Sequence, residues 1–273
     1  MEDIKVLQKK ILEIGLFIDK VCRENNITYY IMSGTALGAV RHGGFIPWDD
    51  DLDIFMTPVE YEKFRKVFYE INDPKYVIQE WRDTPDYLRH AKVRMNGTTF
   101  IEEAYKDNKE LHQGIFVDIM FLHKIPDNKF EQKKVYLESK YATLYCNMQN
   151  GWKPKTKVQA LCIAIARCLP NKLLLKKFYK DIYKYDYSND PNLKWCYWIT
   201  YGGFDCGLFE PDYFAEPVDT PFEDAVLWGP TKIKEYLTLR FGDYMKLPPV
   251  EKRGAKVHAY IYDTTKDYKE YIK

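Results

Sequence analysis

The chain has 273 residues, enough to bury a core as one large domain or two small ones, and 46% of them are apolar against 30% charged. Lys and Arg total 41 and Asp and Glu total 40, so the net charge of +1 gives no global pull toward nucleic acid and any electrostatic site must be local. No run reaches ~20 apolar residues, so no spanning helix is predicted. Met1-Glu2-Asp3 opens with acids rather than a basic stretch before an apolar run, so no signal peptide is expected. Six cysteines (Cys22, Cys146, Cys162, Cys168, Cys196 and Cys206) are scattered without a CxxC pair, which fits a cytosolic chain with free thiols better than a zinc site.

In chain order, Val6, Leu7, Ile11, Ile14, Ile18 and Val21 recur at helical spacing and predict a first helix over 4–25. Ile27 to Met32 reads as a short strand. Ser33-Gly34-Thr35 breaks it, Ala36 to Arg41 suits a helix, and His42-Gly43-Gly44 is a turn. An acidic strand, Asp49-Asp50-Asp51-Leu52-Asp53, runs on into Ile54-Phe55-Met56. Pro58 to Ile71 is a helix with Pro in its first turn. Tyr76 to Trp81, Ala91 to Met95 and Gly114 to Phe121 read as strands. From Phe130 to Tyr187 the signal is helical, with a turn at Asn150-Gly151, and Lys232 to Phe241 is a helix stopped by Gly242. Strands interleaved with helices predict an α+β fold, with an α/β-type mixed sheet flanked by helices. A catalytic core is expected over 1–125 and a mainly helical region over 126–273.

Side chains alternate across a strand, so Asp51 and Asp53 share one face while Leu52 and Ile54 take the other. Carboxylates this close repel, and a divalent cation removes the repulsion. Magnesium fits, with manganese as the alternative, because it takes one or two carboxylates and completes its shell with water and phosphate oxygens. Asp118 is a lone charge within Phe116-Val117-Asp118-Ile119 and needs a partner there. If its strand lies beside the first, Asp51, Asp53 and Asp118 form a catalytic triad for two metal ions, with Asp49 extending the ligand row. Asp50 should point away. An EF-hand reading of Asp49, Asp51, Asp53 and Glu60 fails, because Ile54 stands where Gly is needed and Pro58 lies inside the loop.

Ser33, Gly34 and Thr35 open a helix, where backbone N–H groups face an incoming phosphate and Gly34 permits close approach. Arg41 and Arg94 are candidate phosphate contacts. His42, Lys92 and Trp48 complete the candidate substrate-binding set, with Trp48 able to stack on a base or a cationic group. The segment 153–184 carries nine Lys and Arg against a single acid, Asp181, interleaved with apolar stretches. That pattern suits peripheral contact with an anionic membrane.

The run from Ser33 to Ile54 resembles the signature of the LicD family, phosphocholine transferases of bacterial cell-surface polymers related to fukutin and the fukutin-related protein. The resemblance recurs at Lys92-Val93-Arg94 with Thr98-Thr99, at His112 to Ile119 and at Phe241 to Pro249, and is poor from Phe130 to Tyr187. It implies a nucleotidyltransferase-like fold in which Gly34-Thr35, Asp51 with Asp53, and Asp118 match the turn, the paired acids and the third acid. It also implies transfer of phosphocholine from CDP-choline to a sugar hydroxyl of a teichoic acid, lipopolysaccharide or capsule precursor, with release of CMP. The acceptor would be lipid-linked and met at the inner face of the plasma membrane, with no nucleic-acid partner. Three other readings stay open: another activated donor (ribitol or glycerol phosphate), a module that binds nucleotide or glycan without catalysis, or a structural scaffold at the membrane, suggested only by the basic segment.

Overall fold

The computed structural model describes residues 3–82, 89–103, 106, 108–149, 154, 156–200, 203–253 and 258–272. The expected turn at Asn150-Gly151, and Lys153 and Lys155 of the basic segment, lie outside the described residues.

In chain order the elements are α1 (Ile4–Glu24), β1 (Tyr30–Ile31), α2 (Ser33–His42), β2 (Asp53–Met56), α3 (Pro58–Ile71), β3 (Tyr76–Glu80), β4 (Ala91–Met95), β5 (Thr99–Glu102), β6 (Phe116–Phe121) and β7 (His123–Ile125). There follow α4 (Lys129–Gln149), α5 (Lys157–Arg167), α6 (Asn171–Ile182), β8 (Lys194–Cys196), β9 (Leu208–Phe209), β10 (Val218–Phe222), β11 (Ala225–Gly229), α7 (Ile233–Phe241) and β12 (Ala259–Asp263). The class is α+β, as the sequence predicts.

Local chemistry sets the boundaries. Asp3 caps α1 by accepting from the Lys5 N–H at 3.0 Å. Thr57 caps α3 by accepting from the Glu60 N–H, with Pro58 in the first turn. Gly43 ends α2 in the left-handed conformation (φ 74°), where its N–H reaches the Ala39 carbonyl at 3.2 Å.

Two compact units emerge: residues 1–80, 90–121 and 212–273 form one, and 81–89 and 122–211 the other. The second half of the chain is thus shared between the units, and its long helices are confined to 129–182.

The first unit is built on a five-stranded sheet of order β1-β2-β6-β4-β3. β2 and β6 run parallel, and the other neighbours are antiparallel. One face carries Ile54, Met56, Val117, Ile119, Ala91, Val93 and Ile78, all buried. Helix α1 packs against β4 and β6, and α3 against β2. The buried Leu7, Ile11, Ile14 and Ile18 of α1 and Tyr61, Phe64 and Phe68 of α3 supply the apolar cover. The other face carries Asp53, Asp118, Lys92, Arg94 and Gln79, which is where chemistry can occur. β12 pairs with β5 and brings the C-terminal segment back to this unit.

In the second unit α4, α6 and the sheet β7-β8-β9 enclose Ile125, Val135, Ala142, Tyr179, Ile182, Cys196 and Trp198.

Candidate active site

The strand expected from Asp49 begins only at Asp53; Asp49, Asp50 and Asp51 form an irregular approach to it. The reason lies in their partners. Asp50 is buried and turned into the protein, where it accepts from the His258 N–H (2.7 Å), the Ala259 N–H (3.1 Å) and His258 Nδ1 (3.0 Å). The Asp49 backbone is engaged outside any ladder, its N–H donating to the Ile46 carbonyl and its carbonyl accepting from Gln8 Nε2, each at 2.9 Å. Asp50 is thus a buried anchor rather than a solvated side chain, and its partner His258 Nδ1 also lies 3.4 Å from Asp51 Oδ2.

Asp53 is the register partner of Asp118 across the parallel β2–β6 pair, and Asp118 is the register partner of Lys92 across β6–β4. These three side chains stand in one row on the polar sheet face. Lys92 Nζ donates to Asp118 Oδ2 at 3.2 Å and lies 3.1 Å from Oδ1 without hydrogen-bond alignment. Asp118 Oδ1 is buried and accepts no hydrogen bond among the described residues. His90 Nε2 lies 4.0 Å from that oxygen. Burial, aided by Lys92, pushes the His90 ring down to about 3, so it stays neutral.

Asp51 and Asp53 retain some exposed surface, yet desolvation dominates both. Burial raises Asp51 to about 7, and Asp49 adds to the rise while His258 opposes it. Burial raises Asp53 as well, followed by the charges of Asp51 and Asp118. His258 lies 3.4 Å from Asp51, and its hydrogen bond to Asp50 lifts it to about 9, so it is cationic at neutral pH.

The first turn of α2 sits beside these acids. Thr35 Oγ1 accepts from the Asp53 N–H at 2.8 Å and ties the helix start to the strand start. Ser33 is held left-handed (φ 45°) from two sides: its N–H donates to Tyr236 Oη at 2.9 Å, and its Oγ accepts from Arg240 Nη2 at 3.0 Å. A side chain on Gly34 would meet Asp49 Oδ2 at 2.9 Å, so the Asp49 carboxylate already lies over the helix N-terminus.

Arg41, His42 and Trp48 gather at the other end of α2. Arg41 donates to His42 Nε2 (3.0 Å) and the Tyr244 carbonyl (2.9 Å). Trp48 packs edge-on to His42, and Arg253 lies over its ring at 5.5 Å. Burial, and after it the charge of Arg253, push Arg41 down. Arg94 is buried and committed internally, to Gln79 Oε1 and to the Gly114 carbonyl at 2.8 Å, with Glu102 at 3.7 Å.

The metal question turns on these acids. Among the described residues no group of three or more His, Cys, Asp and Glu side chains is spaced to grip a metal ion as placed. The donor set nevertheless suits a hard divalent cation in kind. Asp51, Asp53 and Asp118 are oxygen donors whose mutual repulsion a cation would relieve, and Asp118 keeps one buried oxygen without a hydrogen bond.

Residues 26–147 match the model of the LicD/FKTN/FKRP nucleotidyltransferase domain. The chain carries a LicD-family domain. It is 28% identical over 252 residues to the lipopolysaccharide cholinephosphotransferase LicD of Haemophilus influenzae, covering 88% of this chain and 90% of that protein. An uncharacterized protein of Rickettsia prowazekii is 32% identical over 118 residues, 43% of this chain and 41% of its own length. A second uncharacterized protein, from Rickettsia typhi, is 29% identical over 140 residues, 50% of this chain and 41% of its own length.

Asp53 stands beside Asp118 and is tied to Thr35 at the α2 start, while Arg41, His42 and Trp48 form a second cluster. Sequence reasoning did not find Tyr236 and Arg240, which fix Ser33 from α7, nor Glu102, which lies 3.6 Å from Lys92. Nor did it pair His258 with Asp50. The signal available for α7 was its position directly before the Phe241 to Pro249 stretch; the rest follow from register that no local pattern encodes.

Proposed function

We propose that the protein is a magnesium-dependent transferase that moves phosphocholine from CDP-choline to a sugar hydroxyl of a lipid-linked surface-glycan precursor and releases CMP. The observation that carries the reading is the placement of Asp53 beside Asp118 in register, with Asp51 coupled to both. The name of the Haemophilus influenzae relative supports phosphocholine and a glycan acceptor.

Asp51, Asp53 and Asp118 would hold the cation, with Asp49 at the edge. The bound cation supplies neutralisation of the diphosphate and of the charge that develops on the leaving nucleotide. The chain's own groups do the rest. The N-terminal turn of α2, stiffened by Tyr236, Arg240 and the Thr35 link to Asp53, orients the donor phosphates through backbone N–H groups. Asp118 Oδ1, which accepts no hydrogen bond among the described residues, takes the proton from the acceptor hydroxyl as it attacks phosphorus in line. Lys92 keeps Asp118 oriented toward that hydroxyl. His258, anchored by Asp50, holds Asp51 in place. No nucleophilic Ser or Cys is needed, because positioning and charge neutralisation carry phosphoryl transfer.

The test is a CMP-release assay with CDP-choline, CDP-ribitol and CDP-glycerol, with and without magnesium. The reading expects release with CDP-choline that EDTA abolishes and magnesium restores. Release with CDP-ribitol or CDP-glycerol alone would replace the donor, and unchanged release in EDTA would remove the metal.

A further inference from the structure

The second unit carries a surface that the chemistry above does not use. Between its cationic ends, Lys157 and Arg167, helix α5 has one polar residue, Gln159. Its inner side is satisfied, since Ile163 and Ala166 are buried. Its outer side is not: Leu161 is 62% exposed and Ile165, one turn on, 54% exposed. Leu169 and Leu173 continue the exposed apolar surface through the connection and into the first turn of α6, at 38% and 71%. A helix that is apolar all round belongs in a core or against another apolar phase, and water is neither.

The charges around this surface are of one sign. Residues 154–180 contain seven Lys and Arg and no Asp or Glu. Lys172, Lys176, Lys177 and Lys180 of α6 are exposed, while Tyr179 and Ile182 point into the core. The next acid, Asp181, is turned inward to Lys134 of α4 at 2.9 Å. An isologous contact between two copies would set these cations against themselves. Helix α5 has 11 residues and cannot span a bilayer, which needs ~20, and no described helix is long and apolar enough to cross a membrane.

We propose that α5 and the start of α6 form an interfacial docking surface for an anionic lipid bilayer. The row Leu161, Ile165, Leu169 and Leu173 enters the boundary between headgroups and acyl chains, and the lysines meet anionic headgroups. This inference does not rest on the identity of the transferred group.

The experiment floats the full chain with vesicles of phosphatidylcholine alone or mixed equally with phosphatidylglycerol. The wild type co-floats with the anionic vesicles and not with the neutral ones, and high salt weakens the binding. Leu161→Gln with Ile165→Gln, and separately Lys172→Glu with Lys176→Glu, each lower the partition coefficient by on the order of tenfold or more. All four side chains are exposed, so thermal melting of both variants should match the wild type. No binding to anionic vesicles overturns the proposal. Binding that both variants retain overturns it too. So does a dimer in light scattering that the Gln variant dissolves while vesicles capture nothing, because the apolar row then belongs to a second copy. CMP release from CDP-choline on a water-soluble acceptor should be the same for both variants, which separates failure here from failure of the transfer reading.

Discussion

Asp53 and Asp118 face each other in register across the one parallel strand pair of the five-stranded sheet. Strands in a sheet lie ~4.8 Å apart, so two acids at one rung on one face are forced together by the backbone itself. Burial and repulsion then raise Asp53. The fold therefore holds Asp53 where its charged form is disfavoured, with Lys92 opposing the rise only in part, a perturbation of the kind found at functional sites.

Asp53→Asn and Asp118→Asn should each lower CMP release by at least ~10²-fold, the scale of removing one preorganised electrostatic group. Asp53→Asn should also melt at or above the wild-type temperature in EDTA, because it removes a buried like charge. A lower melting temperature for that variant would mean that the carboxylate is paired favourably in the folded state, and the account of the site would fail.

Lys92 has the opposite character. It is buried, pairs with Asp118, and lies 3.6 Å from Glu102. Lys92→Met strands the Asp118 carboxylate in the interior while Glu102 keeps Arg94 at 3.7 Å, and breaking such a buried pair costs about 3–5 kcal/mol. Urea denaturation of the single variants and of Lys92→Met with Asp118→Asn should show non-additivity, with part of the loss recovered in the double. Purely additive effects would place Lys92 outside the acid network.

Asp50 supports the site from behind. It accepts two backbone N–H groups and a ring nitrogen from His258 and Ala259. Asp50→Ala should cost about 3 kcal/mol or more, since charge-assisted bonds are worth about 1.5–3 kcal/mol each before non-additivity. The start of β12, from His258 and Ala259, should then be cut by protease in native conditions. Retained protection of that segment would show that β5 alone holds it.

Much of this was legible in the chain, and the reason is periodicity. Helices α1 and α3 follow from their apolar spacing and, for α3, from Pro58, and Asp118 stood out because a lone charge between Phe116, Val117 and Ile119 has no bland explanation. What could not be read was partnership at long range. Nothing near Asp50 in sequence says that residue 258 will be its partner, and nothing near Lys92 or Arg94 says that β5 will bring Glu102 to both. Alternation extended the strand too far: it begins at Asp53, and the backbone of Asp49 is taken up by the Ile46 carbonyl and the Gln8 side chain instead of a ladder.

The two glycines of α2 separate packing from chemistry. A Cβ on Gly38 would meet the Gly44 carbonyl oxygen at 2.4 Å and the Ile46 nitrogen at 3.2 Å, and backbone has nowhere to go. Gly38→Ala should cost ~1–3 kcal/mol, the range for overpacking, read by urea denaturation. A Cβ on Gly34 would meet only the end of the Asp49 side chain, which can swing aside, and Ala gains ~1 kcal/mol of helix propensity over Gly. Gly34→Ala should therefore stay close to wild-type stability while displacing the Asp49 carboxylate and crowding the approach to the helix N-terminus. If the donor phosphates come in over that turn, kcat/KM for the CDP-linked donor falls at least ~10-fold in this stable variant. An unchanged kcat/KM would show that neither the position of Asp49 nor the space over Gly34 is used, and the phosphate path would have to be sought at Arg41 and Arg253 instead.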